Sequence, residues 1–178
     1  MIPRYGRRVY QPWTLDDPPA TVSDPRELLL SYLEWYRAAL LRKIDGLSDE
    51  QLRAPVEALG WSPLGLVQHL GWVERRWLRW GFAAEDVAPL RQGSEDAEWQ
   101  VAAPTSDVLA AYQAEVARSR ELATAHGLDT PSRIGGRFPD GATAPTLGRI
   151  LFHLLQEYAR HVGQLDVARE LIDGVTGE

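Results

Sequence analysis

The sequence predicts an all-α protein, a four-helix bundle with long connections between the helices and an extended N-terminal arm. Four stretches repeat apolar residues at helical spacing, and each of them follows a residue that can cap a helix. The segments between them are rich in glycine, proline or acidic residues. Because 178 residues is the usual size of one domain, we expect 1–178 to form a single domain.

The composition narrows the class of protein further. Apolar residues make up 44% of the chain and charged residues 25%, as in ordinary globular domains. The chain has no cysteine, so a metal would have to be held by nitrogen and oxygen ligands. The basic start of the chain lacks the apolar segment of a secretion signal, and no run approaches the ~20 apolar residues of a membrane span. We therefore expect a cytoplasmic protein without a membrane partner.

The net charge of −6 disfavours nucleic acid as a partner. Two groups of arginine are the only local exceptions, one in the N-terminal arm and one interleaved with tryptophan on a predicted helix. They comprise Arg4, Arg7 and Arg8, and Arg75, Arg76 and Arg79 among Trp72, Trp77 and Trp80. The spacing of the second group favours tryptophans that pack inward and arginines that face solvent, so we expect no nucleic-acid partner.

The first predicted elements are the arm, residues 1–23, and a helix at about 25–45. Four prolines in the arm disfavour regular structure there. Asp24 is the predicted N-cap of the helix, with Glu27 three residues later as in a capping box, and Gly46 ends it.

The second long helix is predicted at about 62–81, after a short capped turn that begins at Ser48. Ser62 precedes a proline that fits the first turn of a helix. His69 falls on the apolar face of this helix, so its imidazole is expected to point into the bundle.

Two more helices are predicted, at about 105–126 with Thr105 or Ser106 as the cap and at about 146–173 with Thr146 as the cap. The apolar stripe of the last helix continues for about seven turns. This length makes it the longest element of the predicted bundle.

The two long connections, residues 81–104 and 127–145, are the segments from which we expect the walls of a substrate pocket. Neither segment contains a known ligand-binding motif. Arg133, Arg137 and Arg149 are weak candidates for binding an anionic group of a substrate or cofactor.

The last helix also carries the residues with the clearest chemistry. Glu157 is expected at the centre of the apolar face of this helix, with His161 one turn away on the same face. Burying a carboxylate there is costly unless it is paired or binds a metal. His69 could complete such a site from the second helix. His153, one turn before Glu157, fits as well as His161 by helix geometry alone. Without a metal, Glu157 would pair with protonated His161 or with Arg160.

Two imidazoles and one carboxylate leave a coordination position open, which is the pattern of catalytic rather than structural zinc sites. Nickel, iron and manganese accept the same ligands. The predicted cofactor is therefore a divalent metal, with zinc as the first choice.

In two motifs the chain resembles members of the DinB-like superfamily. Within that superfamily, the resemblance is to the mycothiol-dependent, maleylpyruvate isomerase-like branch of actinobacteria. The motifs are SPLGLVQHLGWVE, which contains His69, and EYARHVGQLDVARE, which contains Glu157 and His161. The likeness covers about residues 25–173. It implies a DinB-type bundle in which these three residues hold the metal.

The resemblance also favours His161 over His153 as the ligand and implies that His153 and Gln164 lie beside the metal ligands. It implies an enzyme with a small-molecule substrate, in which the metal activates a thiol such as mycothiol, or water. Thiol transfer, isomerisation and hydrolysis are the reactions to consider.

The isomerase and the ergothioneine-pathway enzymes of the superfamily have a further domain, whereas this sequence ends at Glu178. We expect a single-domain relative that does not share their particular reactions. The alternative is a non-catalytic, metal-binding bundle that serves for dimerisation or for binding a partner, and the abundance of tryptophan and tyrosine is compatible with a homodimer.

Overall fold

The computed structural model describes the backbone of residues 9–10 and residues 18–87 and 98–176 in full. The regular structure is almost entirely helical, which confirms the all-α class. Most of the predicted arm, with its arginine group, lies outside the described residues. The helices are α1 (Pro25–Ile44), α2 (Asp49–Arg53), α3 (Pro63–Glu74), α4 (Thr105–Ala125) and α5 (Leu147–Asp173).

The helices begin close to where their caps predict. The side chains of Asp24, Ser62 and Thr146 each accept a hydrogen bond from a backbone N–H in the first turn of α1, α3 and α5. The start of α4 differs, because its N-cap is Pro104 and Thr105 is already helical. Proline disfavours the helical conformation at the residue before it, so the helix does not extend back beyond Pro104.

The second predicted helix, 62–81, has two parts in the structure. α3 continues without a break into a π-helical segment, Arg75–Phe82, whose wider turns are closed by bonds such as Ala83 N to Leu78 O at 2.9 Å. The wider turn changes which side chains face inward. As a result Trp80, which the sequence predicts to pack inward, is 39% exposed.

The three arginines of the π-helical segment all form ion pairs, which corrects the prediction that they simply face solvent. Each has at least one glutamate partner, and none is fully exposed. The pairs include Arg75–Glu115, Arg76–Glu98 and Arg79–Glu85.

Two short strands, one near each end of the described chain, pair with each other. β1 (Val9–Tyr10) pairs in parallel with β2 (Val175–Thr176). Gly174 ends α5 in the left-handed conformation, with φ of 77°, and turns the backbone into β2. Within the described residues, no helix is both long and apolar enough to cross a membrane.

The packing of the helices brings α3, which carries His69, against α5, which carries Glu157 and His161. α1 packs mainly on α5, α3 packs mainly on α4, and α3 also contacts α5. The centre of the buried face of α5 is Tyr158, which is fully buried, whereas the Glu157 side chain is 22% exposed. The prediction of Glu157 at the centre of that face is therefore wrong by one residue, a rotation of about 100°.

A buried polar network that includes Tyr158 crosses the core. Arg37 and Glu74 form an ion pair at 2.7 Å with almost no exposure to solvent. Tyr158 donates its hydroxyl hydrogen to Glu74 at 2.8 Å, and therefore accepts from Tyr112, whose hydroxyl is 3.0 Å away. Burial raises the pKa of both tyrosines, so both keep their protons. This network could not be predicted from the sequence, because isolated charged residues on helices usually face solvent.

Glu34 continues the network to the surface. It accepts hydrogen bonds from Arg37 at 2.7 Å and from Arg120 on α4. Burial alone would raise the pKa of Glu34, but the hydrogen bonds and charges of the two arginines lower it below the ordinary value of 4.5. The carboxylate thus stays ionised and links α1 to α4.

Candidate metal centre

The structure brings together the three residues that the sequence predicts as metal ligands. His69 reaches the site from α3, and Glu157 and His161 lie one turn apart on α5. One nitrogen or oxygen atom from each of the three lies within 4.8 Å of the other two. Each of the three is partly buried. The spacing allows a single ion to contact all three.

His69 is fixed by a carboxylate that the sequence analysis did not identify. Its Nδ1 lies 2.7 Å from Oε1 of Glu98, a residue that is 3% exposed. Burial would raise the pKa of Glu98, but the hydrogen bond with His69 and the charge of Arg76 lower it to about 2. Because an ionised carboxylate only accepts hydrogen bonds, Nδ1 of His69 carries the hydrogen. Nε2 is then the ring nitrogen left to bind a metal.

The surroundings of His69 leave that Nε2 atom without a partner. It is buried and makes no hydrogen bond to any described residue. The Trp99 ring stacks on the imidazole at 4.3 Å and 13°, which fixes the plane of the ring. A buried acceptor without a partner costs about 1–3 kcal/mol, which a bound cation would recover.

Glu98 is itself held in place by Arg76, whose Nη2 lies 3.2 Å from both carboxylate oxygens. Glu98 lies within the long connection between the π-helical segment and α4, where the sequence has no periodic pattern. Its proximity to a predicted histidine ligand could not be read from spacing. A glutamate next to tryptophan in an acidic segment was the only available signal.

His161 has the same arrangement as His69, with an amide in place of the carboxylate. Nδ1 of His161 lies 2.9 Å from Oε1 of Gln164, so Nδ1 donates and Nε2 faces Glu157 at 3.4 Å. The rings of His69 and His161 are 4.7 Å apart. Gln164 thus lies beside the site in the position that the resemblance implies.

Glu157 lies between two histidines. Oε2 faces His161, and Oε1 is 3.2 Å from Nε2 of His153 on the opposite side. The nearby His161 side chain lowers the pKa of Glu157 despite partial burial, so the carboxylate stays ionised. His153 packs against Trp77 at 4.3 Å and does not belong to the group of close ligand atoms. Burial lowers the pKa of His153, which favours its neutral form.

The alternative without a metal makes different use of the same residues. Arg160 is exposed and forms no ion pair with Glu157 among the described residues, so the histidines are the available partners there. A Glu157–His161 pair would satisfy the carboxylate. It would leave Nε2 of His69 buried and unpaired. This atom therefore favours the metal site over the metal-free pair.

The donor set fits a divalent metal on two grounds. Both imidazoles donate through Nδ1 to a fixed acceptor, which is how metal-binding histidines are commonly oriented. Two nitrogens and one carboxylate oxygen suit zinc and also nickel, iron and manganese. Within the described part of the chain, no fourth histidine or carboxylate joins this group of ligand atoms.

The three candidate anion-binding arginines differ in their surroundings. Arg133 and Arg149 are exposed, whereas Arg137 is half-buried. The guanidinium carbon of Arg137 lies 4.3 Å from the centre of the Trp77 ring. Of the three, Arg137 is therefore the one that packs against a residue of the site.

Comparison with known proteins gives one informative match. A family model described as Mycothiol-S-transferase matches residues 28–174. The match includes all of the helices from α2 to α5, most of α1, and the three clustered residues. No curated protein matches the chain.

Proposed function

Since the chain belongs to the mycothiol S-transferase family of DinB-like proteins, we propose that it is a metal-dependent enzyme. It joins a low-molecular-weight thiol, through its sulfur, to an electrophile. His69, Glu157 and His161 hold the metal, and mycothiol is the thiol. The observation that carries the metal is the buried, unpaired Nε2 of His69 beside the ionised Glu157. Zinc is the proposed ion, with nickel, iron or manganese as alternatives.

A divalent ion at this position would lower the pKa of a thiol bound at the open coordination position, as it does that of water. In the transfer, the thiol S–H bond breaks and its proton goes to solvent. An S–C bond then forms to the electrophilic carbon, and the leaving group departs with the bonding electron pair. This sequence needs no oxidant or reductant.

The chain's own residues prepare the site for this step. Glu98 and Gln164 hold the two imidazoles in the tautomer with Nε2 free, so the ligands need little reorganisation. The ionised Glu157 makes the ligand set carry one negative charge. His153 and Trp77 form one wall beside Glu157.

The set of three protein ligands also supports an enzyme over a non-catalytic bundle. A structural zinc site is usually closed by four protein ligands, whereas a catalytic site keeps one position open. Water could occupy that position as well, which would make the enzyme a hydrolase. The family favours the thiol, because its description names mycothiol.

The proposed function is tested by removing and restoring the metal. The protein would be treated with a chelator, divided, and reloaded with zinc, nickel, manganese or ferrous iron. Conjugation of mycothiol to 1-chloro-2,4-dinitrobenzene would then be followed by absorbance. We expect the rate above the uncatalysed reaction to be lost with the metal and restored by zinc. Full activity in the metal-free protein would contradict the proposal.

Matched glutamate variants separate the site from a general loss of charge. Glu157→Gln removes the ligand charge with little change of shape, and Glu170→Gln makes the same change at an exposed position of α5. We expect only Glu157→Gln to lose both bound zinc and conjugation. If the metal activates water rather than a thiol, Glu157→Gln would still lose its zinc, but the wild type itself would show no conjugation.

The remaining features are proposed on sequence and family grounds. The four long helices are assigned to a DinB-type four-helix bundle within a single domain. The substrate is a small molecule, the location is cytoplasmic, and a homodimer is the proposed assembly.

A further inference from the structure

A guanidinium group lies beside the metal centre without a role in the chemistry described above. Arg137 is placed over Trp77, 4.3 Å from the centre of the ring, and it also approaches Trp80 at 5.9 Å. Trp77 contacts His153 at 4.3 Å, and His153 contacts Glu157 at 3.2 Å. Arg137 is thus two side chains away from a proposed metal ligand.

The backbone that carries Arg137 is firmly attached to the π-helical segment. Its N–H donates to the carbonyl of Trp80 at 3.1 Å, and the N–H of Arg133 donates to the carbonyl of Phe82 at 2.9 Å. A Cβ on Gly136 would lie 2.2 Å from the Trp80 oxygen, so the loop approaches the helix too closely for any other residue. Phe138 is buried next to it. The position of Arg137 is therefore determined by the fold.

Within the part of the chain that the structure describes, no acidic residue balances the charge of Arg137. Among residues 18–87 and 98–176, no carboxylate oxygen forms an ion pair with its guanidinium within 4.0 Å. Arg76, whose charge acts on Arg137, is already paired with Glu98. A partly buried charge without a partner is unfavourable, and such a group is well suited to bind an anion.

We infer that Arg137 and Trp77 form a binding site for a carboxylate of the electrophilic substrate. This inference rests on the proposed S-transfer function and specifies the class of electrophile. The planar guanidinium can donate two parallel hydrogen bonds to a carboxylate, while its contact with the Trp77 ring limits where it can lie. One uncompensated positive charge matches a carboxylate monoanion better than a phosphate dianion. An aromatic or unsaturated substrate would extend from there along His153 toward the metal.

The test compares two substrates that differ in one group. 4-Chloro-3-nitrobenzoate and 4-chloro-3-nitrobenzamide present the same aryl chloride with a carboxylate or a neutral amide. Conjugation to mycothiol would be measured for the zinc-loaded wild type, for Arg137→Met, which keeps the apolar stem without the charge, and for Arg137→Lys. Arg133→Met is the matched control, because Arg133 is an exposed arginine on the same loop.

We expect kcat/KM for the benzoate to fall about ten- to a hundredfold in Arg137→Met, the range for losing hydrogen bonds with a charged group. The loss should appear in KM more than in kcat, and the benzamide value should change little. Arg137→Lys should recover part of the loss, and Arg133→Met should behave as the wild type. Equal losses for the two substrates, or an equal effect of Arg133→Met, would overturn the inference.

Binding without turnover keeps the inference separate from the proposed function. Calorimetric titration with 3-nitrobenzoate, 3-nitrobenzamide and 3-nitrophenyl phosphate needs no active metal. Selective binding of the benzoate that disappears in Arg137→Met supports the site even if no thiol is transferred. Equal binding of benzoate and benzamide overturns it, although benzamide conjugation would then still support the S-transferase. Tighter binding of the phosphate overturns the choice of a carboxylate.

Discussion

Replacing Glu98 tests whether the proposed metal site depends on the orientation of His69. Glu98→Ala would remove the acceptor 2.7 Å from Nδ1 and leave both the imidazole and Arg76 without their buried partner. The hydrogen-bond partners of metal-binding histidines typically contribute ten- to a hundredfold to metal affinity. We therefore expect Glu98→Ala to lower the zinc affinity by about that factor, which corresponds to a loss of about 1.4–2.8 kcal/mol in binding free energy. Glu98→Gln keeps an oxygen acceptor without the charge and should lose less.

The assay is competition between the protein and a chromogenic zinc chelator, with thermal unfolding of the metal-free form measured in parallel. Glu85→Ala is the matched control, because Glu85 also pairs with an arginine, Arg79 at 2.6 Å, but contacts no histidine. The ¹⁵N shifts of the His69 ring would report its tautomer directly. If Glu98→Ala bound zinc within about twofold of the wild type, the proposed role of Glu98 in orienting the ligand would be refuted, since the expected loss is at least about tenfold.

Three further predictions concern the metal ligands, the core and the dependence on pH. His161→Ala should reduce zinc affinity by far more than about tenfold, whereas His153→Ala should retain most of the affinity. If a chelator titration showed the larger loss of zinc affinity for His153→Ala, His153 would be the ligand instead. Arg37→Met should reduce the free energy of unfolding in urea by about 3–5 kcal/mol, because it leaves the buried Glu74 side chain without its ion-pair partner. The double variant Arg37→Met with Glu74→Leu should recover much of the loss, and no recovery would contradict this explanation. Because the pKa of Glu34 is lower in the folded protein, its stabilising effect should be complete above the ordinary value of 4.5 and decline as pH falls below it. The difference in melting temperature between the wild type and Glu34→Gln should therefore shrink from about pH 6 to about pH 3, and a constant difference would argue against the ion pair as its source.

The positions of the helices could be predicted because their signals are local. Capping residues such as Asp24 and Thr146 act on the N–H groups of their own first turn, so the sequence contains both partners of each hydrogen bond. The π-helical geometry of Arg75–Phe82 could not be predicted in the same way. Over eight residues, a change in helical period leaves too few repeats of the apolar pattern to be detected.

The candidate site was predictable in part for a different reason. Helix geometry placed Glu157 near both His153 and His161, and the resemblance to a known family selected His161; in the structure it is His161 that shares the group of close ligand atoms. Glu98 could not be found, because its contact with His69 joins residues that are 29 positions apart and depends on tertiary packing. The same applies to the pair of Arg37 and Glu74.

At Glu157, one sequence-based reason for the predicted site differs from the structure. The prediction placed this carboxylate at the centre of the buried face, but that position belongs to Tyr158. One residue changes direction by about 100° on a helix, which is within the width of an apolar stripe. The case for a metal now rests mainly on the orientation of the two histidines and less on the cost of burying Glu157.

The central claim is most directly tested by metal analysis combined with zinc-edge X-ray absorption on protein purified from zinc-replete cells. The account predicts one zinc ion per chain, with two imidazole nitrogens at about 2.0–2.1 Å and the remaining ligands oxygen or an added thiol sulfur. Addition of mycothiol should introduce a sulfur ligand at about 2.3 Å. Protein without stoichiometric zinc, nickel, iron or manganese under these conditions would contradict the account.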